Sequence, residues 1–116
     1  MKRKQNTIQK NRHTAYVNQN KRCYYCNQPM WEKKPEQFSK TFSVESDKTQ
    51  WLKCTAEHVI AKQDGGNNSK ENIVAACLYC NRYRHQGALQ PKSAKAYKSL
   101  VSKKMRKGEW HSTFIS

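Results

Sequence analysis

The sequence predicts a small α+β domain stapled by a bound metal ion, and three observations carry that expectation. Two Cys-x-x-Cys pairs, Cys23/Cys26 and Cys77/Cys80, lie about fifty residues apart in a chain with only five cysteines. Residues 51–86, which contain the second pair, read as strand, loop, strand and helix. Only 35% of the 116 residues are hydrophobic and the mean hydropathy is −1.12, which leaves little apolar surface for a core. A chain of this kind gains from a metal, because ion binding contributes directly to its folding free energy.

Residues three apart in a tight knuckle turn both thiolates toward one ion, and a second knuckle completes a tetrahedron. Cys23, Cys26, Cys77 and Cys80 are therefore read as one structural zinc site. Four thiolates saturate the ion, so this zinc holds the fold and leaves no position for a catalytic water. Two disulfides are the competing arrangement. They would close very short rings and leave Cys54 over, and the MKRK start lacks the apolar stretch of a secretory signal. Cys54 itself is expected to be a small buried residue on a strand.

The elements follow in order. Residues 1–7 are basic and aperiodic, an arm. Ile8, Ala15, Tyr16 and Val17 predict a weakly amphipathic helix over about 8–20, with His13 exposed or facing phosphate. Residues 21–30 form the first knuckle, where Asn27 and Pro29 suit the reversal and Tyr24 and Tyr25 pack near the metal. Residues 31–50 are polar and predict a loop with a short helix or hairpin inside it, from which Phe38, Phe42 and Val44 reach a core or a partner. Trp51, Val59 and Ile60 mark an extended segment over 51–61. Asp64-Gly65-Gly66 and Asn67-Asn68 form a loop, residues 73–76 return as a strand, and a helix runs from Leu78 to about Gln86, stopped near Gly87. Ser93 caps a last helix over about 93–107 whose Ala94, Tyr97, Val101 and Met105 share one face and whose lysines share the other. Trp110 and Phe114 are expected to anchor the tail.

These readings divide one structural domain into three parts. Residues 1–22 are a basic arm and short helix, residues 23–86 a zinc-braced core with an insertion at about 31–50, and residues 87–116 a basic helix and tail. The net charge of +15 follows the same division. Residues 1–22 hold seven Lys/Arg and no acid, residues 23–80 seven of each sign, and residues 81–116 nine Lys/Arg and one Glu. Two basic flanks around a neutral centre suit a polyanion lying across that centre, and nucleic acid is the obvious one; solvated helix faces are the bland alternative. No run of eighteen apolar residues suggests a membrane span, so a cytoplasmic protein is expected.

The order Cys-x-x-Cys, Glu57-His58, Gly65-Gly66, Asn72 and Cys-x-x-Cys-Asn81 resembles the HNH endonucleases, the ββα-metal (His-Me finger) family in which many members brace the site with zinc knuckles. The resemblance covers residues 23–84, apart from the insertion ahead of Glu57. It implies that His58 is the general base, a task that suits an imidazole with a pKa near neutrality. It also implies that Glu57 and Asn81 hold a catalytic Mg²⁺ or Mn²⁺, and that Asn72 ties the loop so as to aim His58. Arg84 would hold the scissile phosphate, with Arg82 and His85 as further nucleic-acid contacts. The implied reaction cuts DNA to a 5′ phosphate and a 3′ hydroxyl, and cutting both strands would take a second copy, as in a homodimer, or a second encounter. Glu57 stands where Asp is frequent, and Asn81 where many members have His. The latter places the chain near an HNN-type subset that includes phage endonucleases acting on branched DNA, so a bacterial or phage-infected cell is the expected setting. The alternatives are an inactive zinc-ribbon module or subunit that binds nucleic acid, and a domain that meets an acidic protein partner.

Overall fold

A computed structural model of the chain describes residues 6–86 and 92–111. The helix stop at Gly87 and the anchor at Phe114 lie outside these residues. Helix α1 (Thr7–Asn18) starts with a reciprocal cap: Asn6 Oδ1 accepts from the Gln9 amide at 2.8 Å, and Gln9 Oε1 accepts from the Asn6 amide at 3.3 Å. None of its residues is fully buried, and it leans on the core through Ala15 and Tyr16. The first knuckle follows, with Asn27 in the left-handed region at φ 62° as its tight reversal demands.

The stretch 31–50 contains helix α2 (Pro35–Phe42), which opens on Pro35 and buries Phe38. A 3₁₀ turn over Thr49–Leu52 then leads into strand β1 (Cys54–His58). The extended segment is thus shorter than the 51–61 expected. Trp51 belongs to the 3₁₀ turn, and beyond His58 the Ile60 backbone bonds to the Asn72 side chain instead of a strand, leaving Ile60 55% exposed.

Strand β2 (Ile73–Cys77) runs antiparallel to β1, with Cys54 opposite Cys77 and His58 opposite Ile73. Its other side is closed by a side chain: the Gln19 amide donates to the Ala75 carbonyl at 2.9 Å and accepts from the Ala75 N–H at 3.0 Å. A two-stranded sheet thereby avoids an open edge there. Helix α3 (Leu78–His85) follows β2 directly. Helix α4 (Ala94–Arg106) starts at Ser93, whose hydroxyl accepts from the Ala96 amide at 3.2 Å, and buries Ala94, Tyr97 and Val101 as its periodicity predicts.

The core gathers the knuckle cysteines with Tyr25, Met30, Leu52, Cys54, Ala75, Ala76 and the inner face of α4. The architecture is α+β: one two-stranded sheet, four helices among the described residues and a cluster of four cysteines. No helix among the described residues is long and apolar enough to cross a membrane.

Candidate functional site

The four knuckle sulphurs converge at the junction of β2 and α3. All four are buried and lie within 4.8 Å of one another. In a tetrahedral site with Zn–S near 2.3 Å the sulphurs sit about 3.8 Å apart, and Cys26 and Cys77 Sγ are 3.8 Å apart. Backbone amides stabilise the sulphurs further. Tyr25 and Cys77 N–H donate to Cys23 Sγ at 3.4 and 3.3 Å, and Cys80 N–H donates to Cys77 Sγ at 3.4 Å. The Trp110 indole closes over Cys80 Sγ at 3.2 Å.

Bonds from Cys23, Cys77 and Cys80 hold the Cys26 thiol far below its usual range. The Cys77 thiol is pushed up by Cys23 and Cys26, and that of Cys80 by burial and the same neighbours. Sulphurs this crowded share protons unless a cation lies between them, which is the setting a structural zinc needs. Cys54 stands apart from this group. It is 1% exposed in the core, and burial, then the nearby Glu32 charge, pushes its thiol up to about 12.

Along β1 the alternation of a strand separates two neighbours. Glu57 points under α3 and His58 toward the loop that joins the strands. Glu57 is 1% exposed. Its Oε2 accepts from the Tyr25 hydroxyl at 2.9 Å and from Arg84 Nη1 at 3.0 Å, and its Oε1 lies 3.2 Å from His85 Nε2. Burial, then the Glu57 charge, pushes the Tyr25 phenol up, so it stays protonated and donates.

Two donors of one octahedral ion, each about 2.1 Å from it, sit about 3.0 Å apart when adjacent. The Glu57 Oε1 and His85 Nε2 pair therefore has the spacing to hold a divalent ion together. Asn81, one helical turn before His85, donates from Nδ2 to Thr55 Oγ1 at 3.0 Å and to the Ala56 carbonyl at 3.1 Å. Those bonds turn its nitrogen to the strand and leave Oδ1 as the atom it can offer an ion.

His58 Nε2 lies 2.8 Å from Asn68 Oδ1, its one ring hydrogen bond among the described residues. An oxygen acceptor there calls for a hydrogen on Nε2, which leaves the Nδ1 lone pair to take a proton. Asn72 braces the same loop. Its Oδ1 accepts from Ile60 N–H at 2.8 Å, and its Nδ2 donates to the carbonyls of Ile60 at 3.0 Å and Asn67 at 2.8 Å. Gly66 is required at this turn, since a Cβ would stand 1.6 Å from the Ile60 carbonyl oxygen.

A strand ending in an acid and a histidine, a loop pinned by asparagine, and a helix rising from a cysteine knuckle are together on one scaffold. Residues 41–87 match the HNH endonuclease family model. The HNH match takes in β1, the pinned loop, β2, α3 and the second knuckle, and leaves α1, the first knuckle and α4 outside it. Comparison with curated proteins and with solved structures gives no match.

One implied role within the HNH segment does not fit the geometry. Arg84 was expected to hold a phosphate, yet it is 5% exposed and its donors are engaged internally. Nη1 bonds to Glu57 and the His58 carbonyl, Nη2 to the Val59 carbonyl and Nε to the Lys92 carbonyl. It ties α3 to the end of β1 instead. Arg82 is exposed, with its guanidinium 5.2 Å from the Trp51 ring centre, and can still meet a phosphate.

Sequence reasoning missed three participants: Asn68 beside His58, Tyr25 beside Glu57, and His85 as a partner of Glu57. Only the last left a signal, since His85 stands four residues after Asn81 and so on the same helical face.

Proposed function

We propose that the chain is a metal-dependent DNA endonuclease that hydrolyses phosphodiesters to a 5′ phosphate and a 3′ hydroxyl. The observation that carries this is the end of β1, where consecutive residues deliver an oriented imidazole on one side and a carboxylate–imidazole pair with ligand spacing on the other. His58 Nδ1 accepts a proton from the attacking water while Asn68 holds the ring. Glu57 Oε1, His85 Nε2 and Asn81 Oδ1 are the groups that hold a Mg²⁺ or Mn²⁺ ion. When bound, that ion supplies positive charge to the phosphate and to the departing 3′ oxygen, so no protein nucleophile is needed. Arg84 and Tyr25 fix the Glu57 carboxylate, and exposed Arg82 stands ready for the DNA backbone. Since one site cuts one strand, double-strand cleavage requires a second copy or a second encounter.

An inactive zinc-braced nucleic-acid-binding module is the competing reading, and one observation favours it: Glu57 Oε2 already carries two internal bonds. Incubating supercoiled plasmid and a branched junction with the protein, with and without Mg²⁺, separates the two. The expected result is Mg²⁺-dependent nicking that His58→Ala lowers by about 10²–10⁴-fold while zinc content and DNA binding persist. Tight binding with no nicked product under any divalent ion would establish the inactive module.

A further inference from the structure

A groove of about 780 Å³ lies between α1, the first knuckle and α2, almost wholly outside the HNH segment. Arg12, Lys21, Arg22, Lys33 and Lys34 line it, and its single acid, Glu32, is already engaged by His13 at 2.8 Å and Arg12 at 3.5 Å. Its walls are aromatic, with Tyr16, Trp31 and Phe38 set back and Phe42 37% exposed.

The backbone supplies an independent observation. Three of the five non-glycine residues at positive φ among the described residues line this groove: Asn20 at 56°, Lys21 at 63° and Lys34 at 60°. Asparagine tolerates that region, whereas a lysine there costs about 1–2 kcal/mol. Strain of this kind collects at functional surfaces, and here it falls on two cations of one groove.

Cations at the rim attract phosphates, and the exposed Phe42 ring among them offers a stacking surface to a base. A duplex hides its base faces in its own stack, whereas an unpaired strand presents them. The groove is also joined to the catalytic side: Asn11 of α1 donates to the Asn68 carbonyl at 2.7 Å, in the residue that holds His58.

We propose that this groove binds an unpaired stretch of a DNA strand, with phosphates on Lys21, Lys33 and Lys34 and a base against Phe42. The proposal rests on the DNA-binding half of the function above and does not depend on hydrolysis.

Fluorescence anisotropy with a labelled twelve-nucleotide single strand and its duplex, in buffer without added divalent ion, tests it. Lys21→Gln/Lys33→Gln should weaken single-strand binding roughly tenfold and flatten its log–log salt slope by about 1.4, as expected for two lost phosphate contacts. Phe42→Ala should weaken the single strand several-fold and leave the duplex unchanged. Lys95→Gln/Lys103→Gln removes equal charge from the exposed side of α4 and serves as the control. Zinc content and melting temperature verify that each variant is folded. Equal losses for the groove pair and the α4 pair, or duplex binding with no single-strand binding, would overturn the groove while leaving the nuclease reading standing. Groove-specific losses in a protein that nicks nothing would uphold it and remove the nuclease.

Discussion

Replacing Arg84 by Met discriminates between the two tasks this residue can have. Its side chain is 3% exposed and Glu57's is 2%, with 3.0 Å between the charged atoms. Removing the cation leaves a buried carboxylate with only the Tyr25 hydroxyl and the His85 ring beside it, and strips charged donors from three carbonyls. Breaking one side of such a pair costs about 3–5 kcal/mol, because the remaining charge stays out of water. Against the roughly 6–17 kcal/mol expected for a domain of this length, that is a large share. The melting temperature should fall by at least about 12 °C, and the urea midpoint should fall in proportion, with zinc kept saturating throughout. Arg84→Lys should fall in between, since an ammonium keeps the charge but cannot span the same fork of acceptors. A phosphate-holding arginine predicts the opposite pattern. If Arg84→Met melts within about 3 °C of wild type and instead loses DNA affinity with a shallower salt slope, the internal tie is refuted.

Asn68→Ala should slow single-turnover nicking roughly tenfold without weakening DNA binding, and Asn68→Asp, which keeps the acceptor, should recover most of the rate; a binding loss without rescue would contradict this. Cys54→Ser should leave one zinc per chain by metal analysis, since the four-sulphur cluster that could hold the ion does not include Cys54. Because the Cys54 thiol is raised from near 9 to about 12, the folded state keeps its proton longer than the unfolded chain. Its contribution is complete below pH 9 and is lost between pH 9 and 12 at about 1.4 kcal/mol per unit, so wild type should lose more stability than Cys54→Ala across that window in urea titrations. Gly66→Ala should lower stability by about 1–3 kcal/mol, since its Cβ meets backbone, and more than Gly65→Ala, where φ is 90° but nothing lies within 4 Å.

Much of the fold could be read from local chemistry. Cysteine spacing located the four-sulphur cluster, Ser93 and the period of Tyr97 and Val101 located α4, and the Asp64-Gly65-Gly66 run located the loop between the strands. The failures share a cause, which is that they depend on where distant segments meet. Trp51 reads as a strand residue by propensity, but the chain turns there to place Leu52 in the core. Arg84, in a basic run, reads as a solvent-facing side chain, and only the crossing of α3 over β1 buries it against Glu57. Tyr25 and Asn68 are ordinary residues of a knuckle and a loop, and tertiary placement alone brings them to Glu57 and His58. Local patterns thus locate the site's elements, while the hydrogen bonds that set its atoms in place come from long-range packing.

Cys77 ends β2, caps α3 with its sulphur and belongs to the four-sulphur cluster. The bend that sets the angle between sheet and helix therefore carries one of the four sulphurs that could hold an ion. Oxidants or chelators that strip this cluster would release that corner, swinging Asn81 and His85 away from Glu57 without touching any of the three. Any activity housed here would be lost under thiol stress, together with the bonds that Tyr97 of α4 and Trp110 make to Cys80.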